Sequence, residues 1–249
     1  MAGEGCQLKR YVIRRVRLGS ILLAALAMVL AVQMFRTEET TPVFARLPRQ
    51  TLVIDPGHGG EDGGAVSVSG QKESQVNLAI ALQLDQLMGF YGVQTVLTRS
   101  EDISIHDASA STLREKKVSD IHNRVNLVNG LENATLISIH QNSYPGTSCQ
   151  GTQVFYGDET LSLPLARKIQ ETVRVCLDPD NARTPQHIPS SVYLMNHISC
   201  RAVLVECGFL SNPEEDLLLQ EKAYQMKLAL VLAASYIQCG DTQEGEGLI

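Results

Sequence analysis

Apolar positions along the chain fall into two alternating kinds of block, short unbroken runs and longer stretches with three-and-four spacing. The unbroken runs predict strands at residues 51–54, 93–98, 134–140 and 151–156, with shorter ones at 191–195 and 202–207. The spaced stretches predict helices. The first opens at Glu73 and carries Val76, Ala79, Ile80, Gln83, Leu84, Leu87 and Met88 on one side, until the chain turns at Tyr91-Gly92. Others cover 119–129, where Ile121, Val125 and Val128 share a face, and 161–177, and a last helical region opens at Pro213 and ends near Gln238. Polar segments 99–117 and 179–189 read as loops, and residues 240–249 as a polar tail. Strands alternating with helices at these lengths predict an α/β domain with a mixed, largely parallel central sheet flanked by helices, spanning residues 50–239.

One apolar block is of another kind. Residues 18–35 are uncharged, and as a helix at about 1.5 Å per residue they would extend roughly 27 Å, close to the thickness of a bilayer core. Basic residues precede the run, so the pattern predicts a cytoplasmic N-terminus over 1–17, a signal-anchor or transmembrane helix over 18–36, and a Thr, Glu and Pro-rich linker over 37–49. The catalytic domain is then expected outside the membrane, held there by the helix. Val43-Phe44-Ala45 resembles a small-residue cleavage site but lies well beyond the run, which favours an anchor over a cleaved secretion signal.

Charge narrows the partners. Lys9, Arg10, Arg14, Arg15 and Arg17 against Glu4 give residues 1–17 a net charge of +4, so the rest of the chain carries −10 to reach the overall −6. An acidic body argues against nucleic acid as the principal partner, since that binding rests on clustered Lys and Arg. Cys149, Cys176, Cys200, Cys207 and Cys239 follow the apolar run, an odd number without a C-x-x-C pair. Neither a disulfide framework nor a thiolate zinc site is indicated.

The candidate chemistry gathers at predicted strand ends. The first strand runs into VIDPGHGGEDGG, a glycine-rich turn that presents His58; the third ends at His140, and the last ends beside Glu206. In α/β sheets such ends form the functional crevice. Glu73 stands in the first turn of a helix on its buried side, where an acid is costly unless paired or bound to metal. Two imidazoles and a carboxylate are a common ligand set for one catalytic Zn2+, which keeps a further position for water. His58, Glu73 and His140 meet that requirement, and Glu206 is placed to take a proton from the water. The turn lacks the Lys-Ser or Lys-Thr of a phosphate loop and the spacing of a dinucleotide loop.

Four motifs in order, DPGHGGEDGGA from Asp55, the helix-opening Glu73, SIHQN from Ser138 and AVLVECGFLSNPEE from Ala202, resemble the zinc-dependent N-acetylmuramoyl-L-alanine amidases of the amidase-3 family. The resemblance covers roughly residues 50–238. It implies zinc on His58, Glu73 and His140, Glu206 as catalytic acid/base, and hydrolysis of the amide between the lactyl group of N-acetylmuramic acid and L-alanine in peptidoglycan. Asp55 and Asn142 are expected to orient the histidines, and Arg99 and Arg124 to meet substrate carboxylates or to serve as structural ion pairs. His197, after a short predicted strand, is a rival ligand. Arg201 stands where the family often has proline. A Cys directly after the glutamate, a single catalytic domain and an N-terminal anchor are most similar to sporulation-type members that act on spore cortex and serve germination. An activating protein partner is a further expectation. Two other readings are an exported zinc peptidase acting on wall peptides and a non-catalytic wall-binding or regulatory protein on the same fold.

Overall fold

The first strand, β1 (Thr51–Pro56), is buried at every one of its six residues, as an unbroken apolar run must be when both faces of a sheet are covered. A computed structural model describes residues 50–245. The expectations for 1–17, 18–36 and 37–49 lie outside the described residues. Among the described residues, no helix is long and apolar enough to cross a membrane.

After β1 come α1 (Glu73–Phe90), β2 (Thr95–Leu97), α2 (Leu113–Asn129), β3 (Ala134–Asn142), β4 (Gln153–Tyr156), α3 (Leu163–Cys176), β5 (Gln186–His187), α4 (Tyr193–Asn196), β6 (Arg201–Phe209), α5 (Pro213–Gln220) and α6 (Lys222–Gly245). The six strands form one sheet in the order β2-β1-β3-β6-β4-β5. Every pairing is parallel except β4 with β6. The expected mixed, largely parallel sheet with helices on both faces is therefore present.

Strand parity divides the core in two. Leu52, Ile54, Ile137, Ile139, Val203, Val205 and Cys207 face α1, α3 and α6, meeting Ile80, Leu84, Ile169, Leu228 and Leu232. Val53, Leu136, Ala202 and Leu204 face α2 and α4, meeting Val128, Leu194 and Met195. One residue of slip along a strand would exchange these two sets.

Four local expectations are corrected. Helix α2 begins at Leu113, six residues before the apolar pattern starts, because Thr112 and Glu115 form a capping box that satisfies the orphan amides. The predicted strand at 191–195 is instead the short helix α4, whose Leu194 and Met195 are buried; four residues cannot distinguish the two periods. The loop at 179–189 contains β5, an edge strand of two exposed residues with no apolar signal. The last helical region is broken at Glu221, where an extended backbone separates α5 from α6. Helix α6 also runs to Gly245 rather than stopping near Gln238.

Arg201, unexpected at the start of β6, is buried and donates to Thr135 Oγ1 at 3.1 Å and Gln50 Oε1 at 3.0 Å. Its guanidinium also lies 5.9 Å from the ring centre of Tyr236. It fastens the start of the domain to β3 and α6.

A candidate metal centre at the sheet edge

Strand order reverses at β1, which has β2 on one side and β3 on the other. Crevices form at the carboxyl ends of strands at such a point. Here β1 delivers the glycine-rich turn. Its His58 has φ 60°, a left-handed conformation that an ordinary residue keeps only when its surroundings hold it. Two arginines do so. Arg99 donates to the carbonyls of Pro56 and Gly57, each at 3.0 Å, and to that of Ser74 at 2.8 Å. Arg124 donates to the carbonyls of Pro56 at 2.9 Å and His58 at 2.7 Å while pairing with Asp55 and Asp120.

Asp55 therefore does not reach a histidine in the hydrogen-bond network: its oxygens accept from Arg124, from Thr98 at 2.7 Å and from Ser138 at 2.7 Å. Burial pushes its pKa up, but Arg124 and the two hydroxyls outweigh that and hold it below its ordinary value. Both arginines are buried and bonded to the backbone of the turn, the structural role that was one of the two expectations for them, and Arg124 also lines the cavity beside His58. Asn142 sits where the register of β3 and β6 shifts, and its carbonyl accepts from Leu210 N–H.

Around the turn, His58, Glu73 and His140 converge, with one ligand-type atom from each within 4.8 Å of the others. Glu73 is the hub. Its Oε2 accepts from Ala65 N–H at 2.9 Å and lies 3.3 Å from His58 Nε2. Its Oε1 lies 3.0 Å from His140 Nδ1 and accepts from Gln141 N–H at 3.1 Å and Asn77 Nδ2 at 3.3 Å. Burial pushes the Glu73 carboxyl up, but the hydrogen bonds from His140 and His58 prevail and hold it far below the usual carboxylate range.

His58 Nδ1 lies 3.0 Å from Asp62 Oδ2, and Lys117 Nζ pairs with the other Asp62 oxygen at 2.8 Å. Burial lowers the His58 pKa; Asp62 and Glu73 overcome it and raise the group to about 9. Sequence reasoning missed Asp62, although the spacing of four within one turn was its signal. It also missed Asn77 and Gln141, linked at 3.1 Å, which only the tertiary fold joins to Glu73. His197, the rival ligand, is exposed and stacked on Tyr193 at 3.7 Å, apart from this cluster.

The backbone comes unusually close to these side chains. A Cβ on Gly57 would fall inside the imidazole of His140, and one on Gly64 would come within 2.7 Å of His58 Cδ2. Only glycine leaves that space.

Glu206 completes the arrangement. It is the direct register partner of His140 on the adjacent parallel strand, so the two side chains share a face. With Asp55, His58, Arg124 and Ser138 they line a cavity of about 320 Å³ that Ile121, Val192 and Leu194 also line. Glu206 Oε2 is buried with no hydrogen-bond partner. Burial, against an opposing pull from His140, raises its pKa to about 7. A buried oxygen without a partner is expensive unless it faces something that binds in the cavity.

Comparison with known proteins gives a consistent answer. A family model described as N-acetylmuramoyl-L-alanine amidase matches residues 52–236. The germination-specific N-acetylmuramoyl-L-alanine amidase of Bacillus subtilis is 35% identical over 186 residues, 74% of this chain and 76% of that protein. The CwlD amidase from Clostridioides difficile, solved in complex with the GerS lipoprotein, superposes with a TM-score of 0.75 at 32% identity, covering 78% of this chain and 99% of that one. A second amidase, from Clostridium difficile 630, gives 0.67 at 26% identity, covering 78% and 97%.

Proposed function

The chain belongs to the N-acetylmuramoyl-L-alanine amidase family Amidase_3 and is an enzyme of that activity; from that premise we propose that it frees stem peptides from peptidoglycan in a zinc site made of His58, Glu73 and His140. Glu206 Oε2, buried without a partner beside His140, is the observation that carries this reading.

The donors fit the metal. Two imidazoles and a carboxylate converge, the glycines leave room for them, and Asp62 on Nδ1 of His58 turns Nε2 toward the cluster and strengthens it as a donor. Zinc, when bound, acidifies a water molecule and polarises the amide carbonyl. Glu206, whose Oε2 faces the cavity without a partner, would accept a proton from the attacking water and return it to the leaving nitrogen of L-alanine, so that the products would be a muramyl carboxylate and a peptide with a free amino group. Ile121, Val192 and Leu194 add apolar surface to the cavity lining.

The similarity to a germination-specific amidase supports a sporulation setting: action on spore cortex, where muramic acid stripped of its peptide leads to muramic-δ-lactam, in support of germination. The enzyme acts outside the cytoplasm, tethered by residues 18–36. The solved relative is bound to a lipoprotein, which supports an activating protein partner here too.

Mass spectrometry of muropeptides after digestion, with metal analysis of the same preparation, tests this. An intact stem peptide bearing free L-alanine and about one zinc per chain is expected; cleavage within the peptide would make it a peptidase, and an active protein free of zinc would sink the mechanism. Gly57→Ala should lose metal while the domain keeps its fold, because the new methyl group occupies the space of the His140 ring. Unchanged zinc affinity by competition with a chelator would show that the imidazole can move aside.

A further inference from the structure

The catalytic cavity, at about 320 Å³, is at the small end of ligand sites. A glycan polymer with pendant peptides must run out over its rim. One rim is aromatic. Tyr193 is 39% exposed, its neighbours Val192 and Leu194 line the cavity, and it stacks on His197 with ring centres 3.7 Å apart and planes 14° apart. His122 lies 4.9 Å from the same ring, tilted by 42°. His122 and His197 are themselves exposed. Three rings thus lie together at the surface.

His122 also lines a second, open groove of about 640 Å³, with Asp107, Ser109, Thr112, Arg114 and Val118. Lys117 and Ile121 face the catalytic cavity, whereas Val118 and His122 face this groove, so α2 carries both on neighbouring strips. Ile121 and Val192 of the cavity are thus chain neighbours of His122 and Tyr193, the rings beside the groove.

We propose that the His122–Tyr193–His197 stack and the groove beside it form a second subsite, which holds a pyranose of the glycan strand next to the muramyl residue that loses its peptide. This rests on the amidase reading. The face of a pyranose presents C–H groups that suit the electron-rich face or edge of an aromatic ring. Hydroxyl and acetamido groups need donors and acceptors close by, which Ser109, Thr112 and Arg114 supply. The stack therefore positions the polymer and takes no part in bond breaking.

Two substrates separate this from a structural role: soluble glycan strands bearing stem peptides, and a single disaccharide-peptide. Tyr193→Ala should raise KM for the strands roughly 3- to 10-fold, the range that loss of one aromatic contact gives, with kcat unchanged and the disaccharide-peptide cut as before. His122→Ala, which removes an exposed ring, should shift the same KM in the same direction, and Tyr193→Phe should restore it. Equal loss on both substrates in Tyr193→Ala, or an unmoved KM for strands in His122→Ala, would overturn the subsite. If the unaltered enzyme released no stem peptide from either substrate, the amidase reading itself would fail and take the subsite with it.

Discussion

Glu206→Gln is expected to lose roughly 10²- to 10⁴-fold in kcat, the contribution of a positioned acid/base, while zinc content and fold stay as they were. Glutamine has the same shape, so the strand register with His140 and the parity of β6 are undisturbed. What it cannot do is accept a proton. Burial has raised the pKa of the carboxyl it replaces to about 7, near the value at which one group can both accept and return a proton at neutral pH. Metal analysis beside the rate makes the outcome decisive. An active Glu206→Gln enzyme would remove Glu206 from the chemistry, and an inactive one without zinc would make it a support of the metal instead.

The largest loss of stability is expected from Arg124→Leu. Arg124 is 2% exposed and holds Asp55, Asp120 and the carbonyls of Pro56 and His58. Its removal strands a buried carboxylate, which costs about 3–5 kcal/mol, and releases the backbone that keeps His58 left-handed. Arg124→Lys recovers little, since a single ammonium cannot span a fork of four acceptors. The deficit has a pH signature. Asp55 has a lowered folded-state pKa, so the pair stabilises fully above the unfolded value of 3.8 and fades as acid takes the pH through the folded value. Urea denaturation should therefore show the gap between the two proteins narrowing below about pH 4. A gap under about 1 kcal/mol at neutral pH would mean that water solvates Asp55 after all.

The sequence was informative wherever chemistry coincided with a strand end or a helix start. His58, Glu73, His140 and Glu206 were all marked by a change of period in the apolar pattern, and the fold brings them to one edge of the sheet. The two arginines were ambiguous for a physical reason: a guanidinium beside a site reads the same whether it faces substrate or backbone, and the choice depends on contacts 25 to 69 residues apart. Asp62 was within reach of sequence reasoning, Asn77 and Gln141 were not. Helix α4 and strand β5 went unread because four residues and two residues carry no measurable period. The early start of α2 lay in its capping box, a polar signal inside what looked like a polar loop.

Cys207 shows what the parity of β6 means for the cavity. It follows Glu206 directly, yet it is fully buried among the helices on the opposite face. Were β6 displaced by one residue, a thiol on a shorter side chain would take the place of the carboxyl beside His140, and the cavity would lose the group that accepts and returns a proton. The pleat of one strand thus decides whether a proton carrier or a buried thiol faces the cavity.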